Sequence, residues 1–212
     1  MTQAPAVLSG PLHPHGHQSR LARAVLRLFG WRVESPGLPA EQGVILVYPH
    51  TSNWDFVVGV LAKWALGLQL RFWGKDSLFK VPLLGSWVRY LGGVAVDRSS
   101  HHGIVGDTVR QMREAAVRGE RFWLAVAPEG TRSQDGQVGK FKKGGFLLAQ
   151  AAGTQIIPLT IDGSRDILPK HSRSMKKGVH VTLTYGPPIE PTGRPLDELI
   201  AEVRGAIVGQ LR

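Results

Sequence analysis

No cysteine occurs anywhere in this 212-residue chain. That absence excludes a disulfide framework, a thiolate nucleophile and zinc sites built on cysteine, and it fits a reducing compartment. Long apolar runs are scarce as well. The stretch 56–70 comes nearest, but Lys63 and Gln69 interrupt it and it stops short of the roughly 20 residues a membrane span requires. Residues 1–16 are rich in Pro, His and Gly and lack the apolar centre of a secretory signal. There is no Gly-x-Ser-x-Gly nucleophile elbow and no internal repeat. His13, His15 and His17 alternate within a tail, 1–18, that reads as flexible and solvated, and no metal site is assigned to them.

Acidic residues are the minority charge. Asp and Glu total 16 against 26 Lys and Arg, a formal net charge of +10. Such a surface attracts polyanions: nucleic acid, anionic lipid headgroups or a phosphorylated substrate. The segment 19–31 reads as a basic amphipathic helix. Leu21, Val25 and Leu28 form a stripe, Arg20, Arg23 and Arg27 lie largely off it, and Phe29 and Trp31 follow near its end. The pattern suits a helix lying on an anionic membrane, and equally one packed on its own domain with solvated arginines.

From Val44 onward strands and helices alternate. The pattern predicts strands at 44–48, 70–73, 93–96, 123–127, 155–161 and 180–185. Helices are expected at 53–66, 79–91, 104–118, 144–152 and 195–211. This alternation implies an α/β fold: one domain, 19–212, in which helices flank a mainly parallel central sheet, with the amphipathic helix preceding it.

The strand ends carry the chemistry. The first runs directly into His50, and Asp55 follows five positions later, residue types that make a general base and its orienting acid. Asp55 also fits a capping box opened by Ser52, and the two roles are compatible. His102 and Asp107 repeat the spacing, but His102 lies in a Ser/His/Gly stretch, 99–103, with no strand directly before it. Gly93 to Val96 lead into Asp97 and Arg98, and Lys75 follows another strand. Pro128-Glu129-Gly130-Thr131-Arg132-Ser133 forms a Gly-containing turn after the fourth strand, where Arg132 can grip phosphate in a bidentate fork. Glu129 can hold that arginine or position a hydroxyl. The run Lys140 to Gly145 then leads basic residues into a helix N-terminus, an anion site or a solvated loop.

Taken in order, His50-x-x-x-x-Asp55, Gly93 to Arg98, Pro128 to Ser133 and Ile156-Ile157-Pro158-Leu159 resemble the four motif blocks of the glycerolipid acyltransferases. The likeness is to the 1-acylglycerol-3-phosphate acyltransferase type and covers about 44–161, with 74–82 also similar. Two departures stand out: Pro49 precedes His50 where many members have asparagine, and their hydrophobic N-terminal helices are reduced to 19–31. The resemblance implies acyl transfer from an acyl thioester to a lysophospholipid hydroxyl, His50 acting as base and Asp55 orienting it. Glu129, Gly130, Thr131 and Arg132 would bind the acceptor, with Arg98 and Lys75 assisting. It implies no cofactor beyond acyl-CoA or acyl-carrier protein as co-substrate, while the net charge and the basic segment 19–31 lead to the expectation of an anionic membrane surface as partner and a peripheral position on its cytoplasmic face. A non-enzymatic binder of anionic membrane or nucleic acid is the rival reading, although no helix-turn-helix or aromatic-basic RNA motif is present. A hydrolase that uses His50 to activate water is the enzymatic one.

Overall fold

The computed structural model describes residues 18–31, 38, 42–48, 53–96, 101–130, 138–163 and 178–211. Six strands form one sheet: β1 (Gln42–Tyr48), β2 (Leu70–Lys75), β3 (Gly93–Val96), β4 (Phe122–Val126), β5 (Gln155–Asp162) and β6 (Thr182–Tyr185). Around it lie α1 (Arg20–Leu28), α2 (Asn53–Leu66), α3 (Asp76–Phe79), α4 (Leu84–Tyr90), α5 (His101–Val117), α6 (Gly144–Ala152) and α7 (Leu196–Gln210). The strand order is β3-β2-β4-β1-β5-β6. All neighbours are parallel except β6, which runs antiparallel to β5.

Handedness decides which helices cover which face. The chain steps from β1 over β4 to β2, then back from β3 over β2 to β4 and from β4 over β1 to β5. Parallel crossovers are right-handed, so reversing direction moves the connecting helix to the opposite face. Accordingly Val58 and Ala62 of α2 share a core with Ile45, and Ala22 and Leu26 of α1 join them. Phe146 and Leu148 of α6 and Val203 of α7 pack with Val44 and Leu46 on the other side. Alternate β1 residues thus enter opposite cores, which is why that strand reads as an unbroken apolar run.

Two expectations shift, and a choice left open for α1 is narrowed. Of the helix expected at 79–91 only 84–90 forms, as α4, and the separate short α3 ends at Phe79, because Pro82 cannot extend a helix and disfavours helical backbone at Val81. β2 runs on to Lys75, which is therefore the last strand residue and not part of the following loop. The Leu21/Val25/Leu28 stripe is not the packed face of α1. Ala22 and Leu26 are buried and Val25 is half-buried, while Leu21 and Leu28 are 75% and 72% exposed. Small Ala22 lets α1 approach α2 closely, with the Ser19 N–H donating to the Trp64 carbonyl at 2.8 Å. The Ser19 hydroxyl caps α1 by accepting from the Ala22 N–H at 3.1 Å. Among the described residues, no helix is long and apolar enough to cross a membrane.

Candidate active site

β1 and β4 are neighbours, with Leu46 opposite Val126, yet the chain leaves them toward opposite faces. Beyond Tyr48 it proceeds to α2 on one side, and beyond Val126 to α6 on the other. Where adjacent parallel strands diverge in this way, a crevice opens outside their carboxyl ends, and open α/β sheets bind ligands there. The two motifs that carry His50 and Glu129 follow these two strands.

The turn after β4 is held by backbone bonds. The Gly130 N–H donates to the Ala127 carbonyl at 3.0 Å, and the Lys142 N–H donates to the Pro128 carbonyl at 2.7 Å. Glu129 is buried, and its Oε1 accepts from the Gly139 N–H at 2.5 Å, tying together the ends of the 130–139 segment. The Arg204 guanidinium anchors the far end by donating to the Val138 carbonyl at 3.1 Å. Gly130 has φ of +66°, and a Cβ there would fall 2.8 Å from Lys142 Cδ and 3.0 Å from its Nζ. The Lys142 side chain therefore lies over the turn. Two residues later α6 begins, turning the positive end of its dipole toward the same edge.

Lys142 was legible only as one lysine in a basic run. What aims it is the neighbouring Phe141, buried in the core with Phe146. That signal exists in the sequence as an apolar residue between lysines.

The structure thus brings Glu129, Gly130 and Lys142 into one turn. Lys75 is exposed at the same sheet edge, beyond the last β2–β4 pair, Phe72 with Ala125. Asp55 is the third residue of α2, and its side chain lies outside the described set. His50, Arg98, Thr131 and Arg132 also fall outside the described residues, as do Ser52 and the 1–17 tail. The competing pair is explained. His102 and Asp107 both belong to α5, which begins at His101, three residues before the expected start at 104. Positions five apart on one helix differ by about 140° around its axis, and Asp107 pairs with Arg110 at 3.1 Å.

A cavity of about 240 Å³, which the sequence did not disclose, lies between α2 and the sheet. It extends from Val47, Phe56 and Ala127 at the carboxyl edge to Lys63 and Arg71 at the other end. Its walls are mainly aliphatic and aromatic. Gly59 faces it from the middle of α2, and a Cβ there would meet no atom within 4 Å. At that end Lys63 Nζ donates to the carbonyls of Leu70 at 2.9 Å and Leu91 at 2.7 Å. Burial lowers its pKa to about 8. The Arg71 side chain instead lies on the other face of the sheet, its guanidinium 4.1 Å above the Phe122 ring, and burial lowers its pKa too.

A crevice at the switch point, cations at its rim and an apolar slot beside it suit a substrate with an anionic head and a long hydrocarbon chain. Residues 32–162, more than half of the chain, match the family model described as Acyltransferase. The chain belongs to the acyltransferase family. Among its relatives, a chloroplastic 1-acyl-sn-glycerol-3-phosphate acyltransferase of Arabidopsis thaliana is 30% identical over 158 residues, 74% of this chain and 43% of that protein. A Pseudomonas aeruginosa protein of the same name is 32% identical over 134 residues, 61% and 49% of the two chains. The chain therefore spans about half the length of such relatives. The crystal structure of the 1-acyl-sn-glycerophosphate acyltransferase PlsC from Thermotoga maritima aligns with a TM-score of 0.64 and 25% identity, over 89% of this chain and 76% of that one.

Proposed function

We propose that this acyltransferase moves a fatty acyl group from an acyl thioester to the free hydroxyl of 1-acylglycerol-3-phosphate, giving phosphatidic acid. The observation that carries the reading is the switch point between β1 and β4, where the strand ends leading to His50 and to Glu129 are neighbours and an apolar slot opens on the α2 side. In this reading His50 takes the proton of the acceptor hydroxyl as its oxygen attacks the thioester carbonyl. Asp55 fixes the imidazole tautomer and steadies its positive charge, the role of the acid in a serine-protease triad. The tetrahedral intermediate collapses, the C–S bond breaks, and the leaving thiolate of coenzyme A or acyl-carrier protein takes the proton back from His50. No enzyme nucleophile is required, in keeping with a chain that has no cysteine.

Arg132 binds the acceptor phosphate through its guanidinium fork. Lys142, draped over Gly130, adds positive charge at that turn, and Lys75 and Arg98 assist from the neighbouring strand ends. The acyl chain occupies the slot under α2. A net charge of +10 and the exposed arginines of α1 favour a peripheral position on an anionic membrane, on its cytoplasmic face.

The test is mass spectrometry of the products formed from a panel of lysophospholipids with acyl-CoA or acyl-carrier protein donors. Phosphatidic acid formed only when lysophosphatidic acid and a donor are both present supports the reading. Free fatty acid released without an acceptor identifies a hydrolase and overturns it.

A further inference from the structure

The short helix α4 has two apolar faces. Gly85 and Val88, with Leu91 just beyond the helix, are buried, Gly85 close against the Phe79 carbonyl. On the opposite face Leu83, Trp87 and Tyr90 follow at helical spacing and are 87%, 54% and 76% exposed. Single exposed apolar residues are ordinary, but a contiguous stripe of large ones marks an interaction surface.

The backbone supports the same conclusion. Leu83 has φ of 64° and ψ of −51°, and the Leu84 N–H donates across it to the Pro82 carbonyl at 2.7 Å. This is a γ-turn of the rare positive-φ kind, strained for any residue with a side chain. Glycine would relieve it. Instead a leucine is held out into solvent.

The surroundings specify the partner. From Lys75 to Leu91 the cations Lys75, Lys80 and Arg89 outnumber the lone acid Asp76, which pairs with Lys80 at 2.8 Å. Tyr90 packs 6.1 Å from the Trp64 ring, and the Trp64 carbonyl receives the first turn of α1. α1 adds exposed Arg20, Arg23 and Arg27 to the same side of the molecule. Exposed Trp, Tyr and Leu interleaved with cations match the headgroup layer of an anionic bilayer, where amphipathic rings and cation stems partition.

We propose that the exposed face of α4 is a membrane-docking surface, with Leu83, Trp87 and Tyr90 entering the headgroup region of an anionic bilayer. The idea deepens the lysolipid reading, because such an acceptor resides in that bilayer and α3, which leads to α4, begins directly after the carboxyl end of β2 at the site edge.

The full chain is tested by co-sedimentation with vesicles of phosphatidylcholine alone or mixed with phosphatidylglycerol. Leu83→Gly combined with Trp87→Ser should lower partition onto the anionic vesicles at least about tenfold. Leu83→Gly alone should weaken partition while leaving the melting temperature unchanged or higher, because it removes the strained φ. Loss of binding by that variant therefore cannot come from unfolding. Acyl transfer to detergent-dispersed lysophosphatidic acid should stay unchanged in both variants. Unaltered partition would overturn the proposal. So would a wild-type dimer in sedimentation velocity that the variants dissociate while vesicle binding persists, since a second copy would then cover this face. If no acyl transfer is found but vesicle binding depends on α4, the docking surface stands and the lysolipid reading falls.

Discussion

Gly59 offers a direct probe of the slot assigned to the acyl chain. Glycine in a helix interior costs roughly 0.5–1 kcal/mol relative to alanine, and α2 extends six or more residues on either side of this one. A Cβ added at Gly59 would meet no atom within 4 Å and would point into a cavity of about 240 Å³. Gly59→Leu should therefore fold, and burying its side chain should add about 1.5–3 kcal/mol. For a chain of this size that raises the melting temperature by several degrees, at about 2–4 °C per kcal/mol. The same side chain takes the space of about four methylenes of substrate. At roughly 0.8 kcal/mol per buried methylene, long-chain binding loses up to about 3 kcal/mol, a hundredfold in rate ratio. The assay compares kcat/KM for palmitoyl and octanoyl thioesters in wild type and Gly59→Leu, alongside thermal scans. A more stable variant that strongly favours octanoyl is the expected result. A stable variant with an unchanged palmitoyl-to-octanoyl ratio would refute the placement of the chain under α2.

Arg132→Ala should cut kcat/KM for a phosphorylated acceptor by a few kcal/mol equivalent and barely affect one lacking phosphate, and Arg132→Lys should not restore it, because the bidentate geometry is lost. Kinetics on paired lysolipids check this, and a uniform loss on both would make the residue a loop anchor. Lys63 predicts a pH effect. Between about 8 and its ordinary 10.5 the unfolded chain keeps a proton that the folded chain has released, so stability rises with pH across that window and is flat in this residue below it. Lys63→Met should abolish that rise in urea midpoints, and should destabilise by about 1–3 kcal/mol because the Leu70 and Leu91 carbonyls lose their donor. Gly130→Ala should lower both stability and activity, since it strains a positive φ and displaces Lys142 from the turn. Lys142→Ala, by contrast, should raise KM for lysophosphatidic acid at unchanged stability.

Much of this architecture was legible because local signals agreed. Val44 to Tyr48 read as a buried strand since both of its faces meet a core, and Gly153 ended α6 where a left-handed residue was needed. One misreading and one choice left open share a cause. Residues 79–91 carry a helical apolar rhythm that hides the break at Pro82, and the stripe of Leu21, Val25 and Leu28 is genuine but faces outward. Periodicity reveals that an element has an apolar side without saying what covers it. The cavity was invisible for a related reason. α2 is apolar nearly all round, so nothing but Gly59 distinguishes a face against the sheet from one against empty space. At the site, strand-end motifs were readable one by one, whereas their meeting depends on β4 returning to lie beside β1, a pairing that no local pattern records.

In the proposed mechanism the β1–β4 switch point performs base-assisted acyl transfer through His50. The decisive measurement is the rate of phosphatidic acid formation by His50→Ala beside Asp55→Asn and His102→Ala, each shown folded by circular dichroism. No activity is expected in the first, a loss of orders of magnitude in the second and a nearly wild-type rate in the third. A folded His50→Ala enzyme that works at the wild-type rate would contradict that mechanism.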